Sequence, residues 1–360
     1  MSQPPQKPLR EIRTEHPVNE IWSMLSYFES RYNCQKYLED KFGSGLDGLS
    51  DTANSLSYTI GSAREFYNAA DGVSVLTRPL LIFYGMINLS KALFISTHGK
   101  KSPSTSHGLQ IVDNWNGKIS ELSVNVGKDG TFPQFHGCYC KDDITHKEIT
   151  LKELFSQIPE IKIEFETIYT EKSKALFTSR GDYGPEIIDS ELIEYGDLDA
   201  LLNQIPGFSQ KYRIGSKSRE RCILFNMQYD TPDLMVRSIS GDKYFILPIV
   251  KKDVISLPEM SIHYLIMYLL GMLSRYQPEE WGKVIIGEEP GEIYFLRKFL
   301  DVTKRKFPNL VLNELRKREF LFVSTSMDRF DNIQFSRRQL DNIYDYVHRK
   351  LVEESRRRRF

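Results

Sequence analysis

Apolar residues crowd two stretches of this chain more densely than an amphipathic helix needs. Between Thr77 and Gly99 they fall at Leu80, Leu81, Phe83, Tyr84, Met86, Ile87, Leu89, Leu93, Phe94 and Ile95, covering almost the whole circumference of a helix. Thr77 can cap its start, Pro79 suits a first turn that has no use for its missing N–H, and Gly99 sits where helices stop. A helix apolar on every side is either buried in protein or spans a bilayer. Leu80–Ile95 falls short of the roughly 20 apolar residues a span needs, and Asn88, Ser90 and Lys91 interrupt it, so the pattern predicts a buried core helix. The second stretch follows Ser256 and Glu259, spaced as a capping box, and stops before Pro278. Ile262, Leu265, Ile266, Leu269, Leu270, Met272 and Leu273 wrap most of that helix. Two such helices are expected to pack together.

Elsewhere the pattern is weaker. Ile21, Trp22, Leu25 and Phe28, then Tyr37, Leu38 and Phe42, predict one or two helices over Asn19–Gly43. Gly43–Asn54 reads as a loop, and Ser62 with Glu65 as a capping box for a short helix ending near Gly72. Leu122, Val124 and Val126 alternate like a strand, and Gly127–Gly130 looks like a hairpin turn leading into a second strand, TFPQF. Thr150 and Glu153 predict a helix through Ile158, broken by Pro159. IKIEFETIY alternates like a strand, Asp197–Ile205 reads as a short helix, and RCILFNMQY and KYFILPIV read as buried strands. Thr178–Pro185 reads as a loop, and Gly282–Gly291 as a turn before a helix. Glu289–Phe307 is amphipathic and is expected to end at Pro308. A short helix, a strand over FLFVST and a terminal helix over Gln339–Glu354 follow.

These elements predict an α+β fold, mainly α-helical. A helical body is built from N- and C-terminal parts, with a strand-containing middle region. The divisions fall at 1–18, a flexible arm; 19–100, the first part of the body; 101–255, the strand-rich middle; 256–354, the second part; and 355–360, a basic tail. Lysine plus arginine equals aspartate plus glutamate at 48 each, so no global field draws the chain to nucleic acid or membrane. The four cysteines, Cys34, Cys138, Cys140 and Cys222, include no C-x-x-C pair and suit a reducing cytoplasm. The N-terminus has no apolar core and reads as no secretory signal. Aromatic content of 12% favours large buried contacts and a protein partner or homo-oligomer.

Candidate chemistry is sparse. The phosphate-loop pattern GxxxxGK[ST], GxGxxG, HExxH and the GxSxG elbow are all missing. His136, Cys138 and Cys140 alternate, so on a strand they would share one face, but the second ligand pair of a structural zinc site is lacking; no metal and no cofactor are expected. His107, His263, Arg275 and Arg78 remain as candidates for a catalytic cluster, since histidine titrates near neutrality and arginine holds phosphate. Against that stand simpler roles: a satisfied core histidine at His263, and a carboxylate partner for Arg275 at its helix end. Arg356, Arg357, Arg358 and Arg359 offer a modest nucleic-acid contact.

The run RPLLIFYGMINLSKALF (Arg78–Phe94), the HGL at His107–Leu109 and MLSRYQPEEW (Met272–Trp281) resemble the YaaC-like family of bacterial proteins, over roughly residues 20 to 320. The resemblance implies a bacterial cytosolic protein and supplies no catalytic residues. Two functions are therefore expected to compete. One is a non-catalytic binding or assembly component of a bacterial complex, linked to nucleic-acid surveillance or antiphage defence. The other is a nuclease or nucleotide-processing toxin whose site assembles only in space.

Overall fold

A computed structural model describes residues 7–324 apart from 102–103, 113–117, 182–183, 190–191, 228–233 and 287–289. The helix expected over Gln339–Glu354 and the tail Arg356–Arg359 lie outside the described residues. The arm is not wholly loose: Leu9–Thr14 forms strand β1. Helices α1 (Pro17–Leu25) and α2 (Arg31–Phe42) follow, then α3 (Leu49–Asp71) and α4 (Arg78–His98). The loop expected over Gly43–Asn54 gives way at Leu49 to α3, and Ser62 and Glu65 lie inside that helix rather than capping one. The cause is visible in its buried face: Thr52, Ala53, Ser57, Ala63 and Ala70 are small because α4 packs close. At Gly85 a Cβ would stand 2.4 Å from the Tyr67 ring. Sequence periodicity counts large apolar residues and misses a helix that buries small ones.

α4 runs as expected and stops at Gly99, whose φ of +65° suits glycine. Thr77 makes no side-chain cap there. It is a described helix long and apolar enough to cross a membrane, and Ile82, Phe83, Met86 and Leu89 on it are buried within the protein.

Strands β2 (Leu109–Val112) and β3 (Ser123–Val126) are joined by β4 (Glu148–Thr150) into a small antiparallel sheet. Between β3 and β4 lies α5 (Thr131–His136), where a second hairpin strand was expected. Phe132, Phe135 and His136 are buried at helical spacing, which a five-residue window cannot distinguish from alternation. α6 (Leu151–Phe155) begins on the capping box read from the sequence, with both the Thr150 and Glu153 bonds formed. α7 (Lys162–Tyr169) is the other reversal, because Phe165 is buried while Ile163 is 66% exposed. IKIEFETIY is therefore a helix.

An antiparallel six-stranded sheet occupies the middle of the chain. It contains β5 (Ala175–Arg180) and β6 (Pro185–Ile188); after helices α8 (Leu198–Asn203) and α9 (Phe208–Lys211) come β7 (Tyr212–Lys217), β8 (Arg221–Asn226), β9 (Val236–Arg237) and β10 (Lys243–Ile246). The strand order is β7-β8-β6-β5-β10-β9. Leu176, Leu202, Phe208, Leu224 and Phe245 give this sheet a small core of its own. A short ribbon of β11 (Ile249–Val250) and β12 (Val254–Ile255) leads to α10 (Glu259–Tyr276).

α10 lies against α4. Gly271 sits so close that an added Cβ would be 3.2 Å from the Cβ of Phe83, and both Phe83 and Leu269 are fully buried. α10 starts at Glu259 with no side-chain cap, so Ser256 and Glu259 form no capping box. The Glu259 carboxylate turns instead to Lys306 at 3.0 Å. α11 (Pro278–Ile286) takes in the first half of the expected glycine-bearing turn, and α12 (Pro290–Arg316) continues past Pro308. Burial of Val311, Leu312 and Leu315 outweighs the one hydrogen bond that proline forfeits, since each such side chain contributes about 1.5–3 kcal/mol. The last described strand, β13 (Glu319–Ser324), pairs in parallel with β1, Leu9 opposite Glu319. The large core unites α1–α7, the small sheet and α10–α12, while the six-stranded sheet keeps its separate one. The fold is mainly helical α+β.

Candidate functional site

His107 lies on a segment pinned by its own backbone. Ser106 C=O accepts from both the Thr131 N–H (2.9 Å) and the Thr131 hydroxyl (3.0 Å), and His107 C=O accepts from Phe132 N–H (3.0 Å). Gly108 C=O accepts from Gly127 N–H, and Leu109 C=O from the Tyr268 hydroxyl, each at 2.9 Å. Four successive carbonyls are thus held. Gly108 (φ +72°) and Gly130 (φ +139°) stand back to back, and a Cβ on Gly130 would come within 2.2 Å of the Gly108 Cα. Only glycine allows this approach, which explains the glycine of HGL.

The half-buried His107 ring packs against Phe83 (centroids 5.5 Å) and Tyr268 (5.7 Å). It makes no hydrogen bond to any described residue. Burial first, then the charges of Arg275 and Lys91, hold its proton affinity below the ordinary histidine value, so the ring is neutral at pH 7. Arg275, exposed at the end of α10, donates to the Tyr84 hydroxyl at 2.9 Å and lies over the Tyr276 ring at 4.8 Å. Among the described residues no carboxylate pairs with it, contrary to the simpler role expected for it. Lys91, two turns along α4 from Tyr84 on the same stripe, likewise has no ion-pair partner among the described residues. Tyr276 is 65% exposed. The site is a neutral imidazole between two uncompensated cations, flanked by tyrosines.

The four residues singled out from the sequence do not form one cluster. His107 and Arg275 come together; Arg78 and His263 do not join them. Arg78 pairs with Asp301 on α12 at 3.4 Å. His263 is wholly buried, its Nδ1 2.9 Å from the Thr303 hydroxyl and its ring stacked on Phe299. Burial, with the Lys306 charge, pushes its proton affinity down to about 3. His136 ends α5, 2.8 Å from the Ser261 hydroxyl and 3.2 Å from Asp142 C=O, so His136, Cys138 and Cys140 share no strand. Ser261 is fully buried, which closes this Ser–His contact to any substrate. No group of histidine, cysteine and carboxylate side chains among the described residues could hold a metal. No sequence motif singles out Lys91 or Tyr84; the signal for them is a lysine within an otherwise apolar helix.

This is a mainly helical α+β protein whose candidate site is a cationic, tyrosine-bearing face over the crossing of its two apolar helices. A family model described as YaaC-like protein matches residues 26–315, and the chain belongs to the YaaC-like family. The three stretches that carry the resemblance meet at this face, in Tyr84 and Lys91, His107, and Arg275 with Tyr276. No curated protein and no solved structure matches the chain.

Proposed function

We propose that the protein is a binding component of a bacterial cytoplasmic complex and takes single-stranded nucleic acid on the face formed by Lys91, His107, Arg275 and Tyr276. In this reading it acts with a protein partner or as an oligomer, in nucleic-acid surveillance of the kind antiphage defence requires. The observation that carries it is the pair of cations, Arg275 and Lys91, without carboxylate partners beside an exposed tyrosine. Cations supply the phosphate contacts, and an aromatic face supplies stacking for an unpaired base. The test is fluorescence anisotropy with labelled single-stranded RNA and DNA between 50 and 200 mM salt, on the order of the range over which phosphate contacts show. Replacing both cations (Lys91→Ala with Arg275→Ala) should weaken binding and flatten the log–log salt slope by about 1.4, at roughly 0.7 per contact on a single strand. Identical slopes, or no binding by the wild type, would overturn the proposal.

One observation favours a catalytic variant of this reading. His107 is neutral and makes no hydrogen bond to described residues, which is the state a general base needs. His107→Ala should then abolish strand cleavage while the salt slope of binding, set by Lys91 and Arg275, is unchanged; cleavage at the wild-type rate refutes the catalytic variant alone.

A further inference from the structure

A second site lies where α12, β13, β9 and the start of α10 meet, a cleft of about 310 Å³. Five cations line it, Lys7, Arg237, Lys243, Arg305 and Lys306, against the carboxylates Glu259, Glu314 and Glu319. Those carboxylates are engaged: Glu314 with Lys7, Glu319 with Arg237 at 2.9 Å, and Glu259 with Lys306 at 3.0 Å. Arg305 has no such match. Its Nη2 donates to two backbone carbonyls, Ile239 at 3.1 Å and Phe322, which satisfy hydrogens but cancel no charge. The carboxylate whose charge reaches it, Glu160, forms no ion pair with it: Oε1 of Glu160 accepts from the Ile239 N–H (2.9 Å) and lies 3.9 Å from Lys306 Nζ. Nε and Nη1 of Arg305 donate to no described residue. The open Nε–H and Nη1–H groups of this half-buried guanidinium diverge, and each offers a charge-assisted hydrogen bond to a carboxylate or phosphate oxygen.

One helical turn on, Asn309 supplies the complementary half. Its Nδ2 donates to Phe320 C=O at 3.1 Å, which fixes the orientation of the amide. Its Oδ1 is then buried with no partner. An orphaned acceptor in the wall of a cleft costs free energy until a donor reaches it. Arg305 and Asn309 are four apart on α12, so they are neighbours on one face, with Cβ atoms about 5–6 Å apart. The volume is at the small-molecule end of the range for ligand pockets, about 300–1,000 Å³.

We propose that this cleft binds a small oxyanion-bearing molecule, its carboxylate or phosphate on Arg305 and a hydroxyl or amino donor on Asn309. The site is separate from the nucleic-acid face, and the two readings fail independently. The test is isothermal titration calorimetry of the full chain with two arms of probes. Serine and malate carry the carboxylate with a donor; ribose 5-phosphate and adenosine monophosphate carry the phosphate with a donor; ribose is the uncharged control. One arm should bind and ribose should not, and the arm that binds identifies the anion. Arg305→Lys keeps the charge and removes the open Nε–H and Nη1–H groups, and should weaken that probe by about tenfold to a hundredfold, the range for a lost charged hydrogen bond. Asn309→Leu should weaken the same probe while sparing inorganic phosphate or acetate, which bring no donor for its oxygen. If no probe binds, or if Arg305→Lys binds as tightly as the wild type, the proposal is overturned.

Discussion

His263 makes a measurable demand on pH. The buried ring gives one nitrogen to Thr303 and leaves Nε2 with no partner, so there is no acceptor for the second proton of an imidazolium. Burial, then the Lys306 charge, holds its proton affinity at about 3 in the folded protein. The unfolded chain titrates near 6.5. Between those values the unfolded chain takes a proton that the folded one refuses. Stability from this residue is therefore complete above about pH 6.5 and is lost as pH falls toward 3. At roughly 1.4 kcal/mol per pH unit, moving from about pH 7.5 to about pH 5 should remove about 2 kcal/mol through His263 alone. His263→Phe abolishes the titration and preserves a ring to stack on Phe299, whose centroid lies 5.7 Å away. It strands the Thr303 hydroxyl at a cost of about 1 kcal/mol that does not vary with pH. Urea unfolding of both proteins at the two pH values isolates the effect, since every other titrating group is common to them. The wild type should lose about 2 kcal/mol more than the variant on acidification. Equal losses would show that His263 is protonated in the fold and that the reasoning from burial is wrong.

Gly85→Ala should destabilise by about 1–3 kcal/mol despite the better helix former, because the Cβ lands 2.4 Å from the Tyr67 ring; thermal unfolding should rank it well below Gly271→Ala, where the nearest approach is 3.2 Å. Lys306→Met leaves Glu259 and Glu160 facing each other without their shared cation and should cost about 3–5 kcal/mol by urea unfolding, whereas adding Glu259→Gln should recover part of that. Gly108→Ala, at φ +72° with Asp129 C=O 2.5 Å from the new carbon, should shift the His107 segment and abolish nucleic-acid binding in anisotropy, while circular dichroism keeps its helical signal.

What could be read in the sequence follows from what burial does to side chains. α4 and α10 announce themselves because each is enclosed on every side, so almost every position is large and apolar. α3 is enclosed too, but alanine, serine and threonine fill much of its buried face between Leu56, Ile60 and Tyr67, and so diluted a pattern looks like a loop. TFPQF and IKIEFETIY failed for a different reason: over so few residues an alternating run and one turn and a half of helix bury overlapping positions. Pro308 reads as a stop because its lost bond is local, whereas the burial that carries α12 past it comes from elsewhere in the chain. The site was legible in part. His107 and Arg275 were named for their chemistry, but Lys91 has a partner-free charge only because of where α4 sits, and Arg305 and Asn309 acquire meaning from β9 and β13, which lie far from them in sequence or across a turn. Arg78 and His263 carry chemistry that their neighbours, Asp301 and Thr303, already occupy.

The pairing of β1 with β13 sets a clock on biosynthesis. Leu9 leaves the ribosome 310 residues (319 minus 9) before Glu319, the residue it lies beside. At about 5–20 residues per second that is a wait of roughly 15–60 s, during which the opening strand has an open edge in a crowded cell. Arg10, Glu11 and Arg13, three charges among its six residues, discourage other nascent chains from annealing there meanwhile. Strand β1 is fastened long after it is made, like a belt whose buckle is cast before the strap.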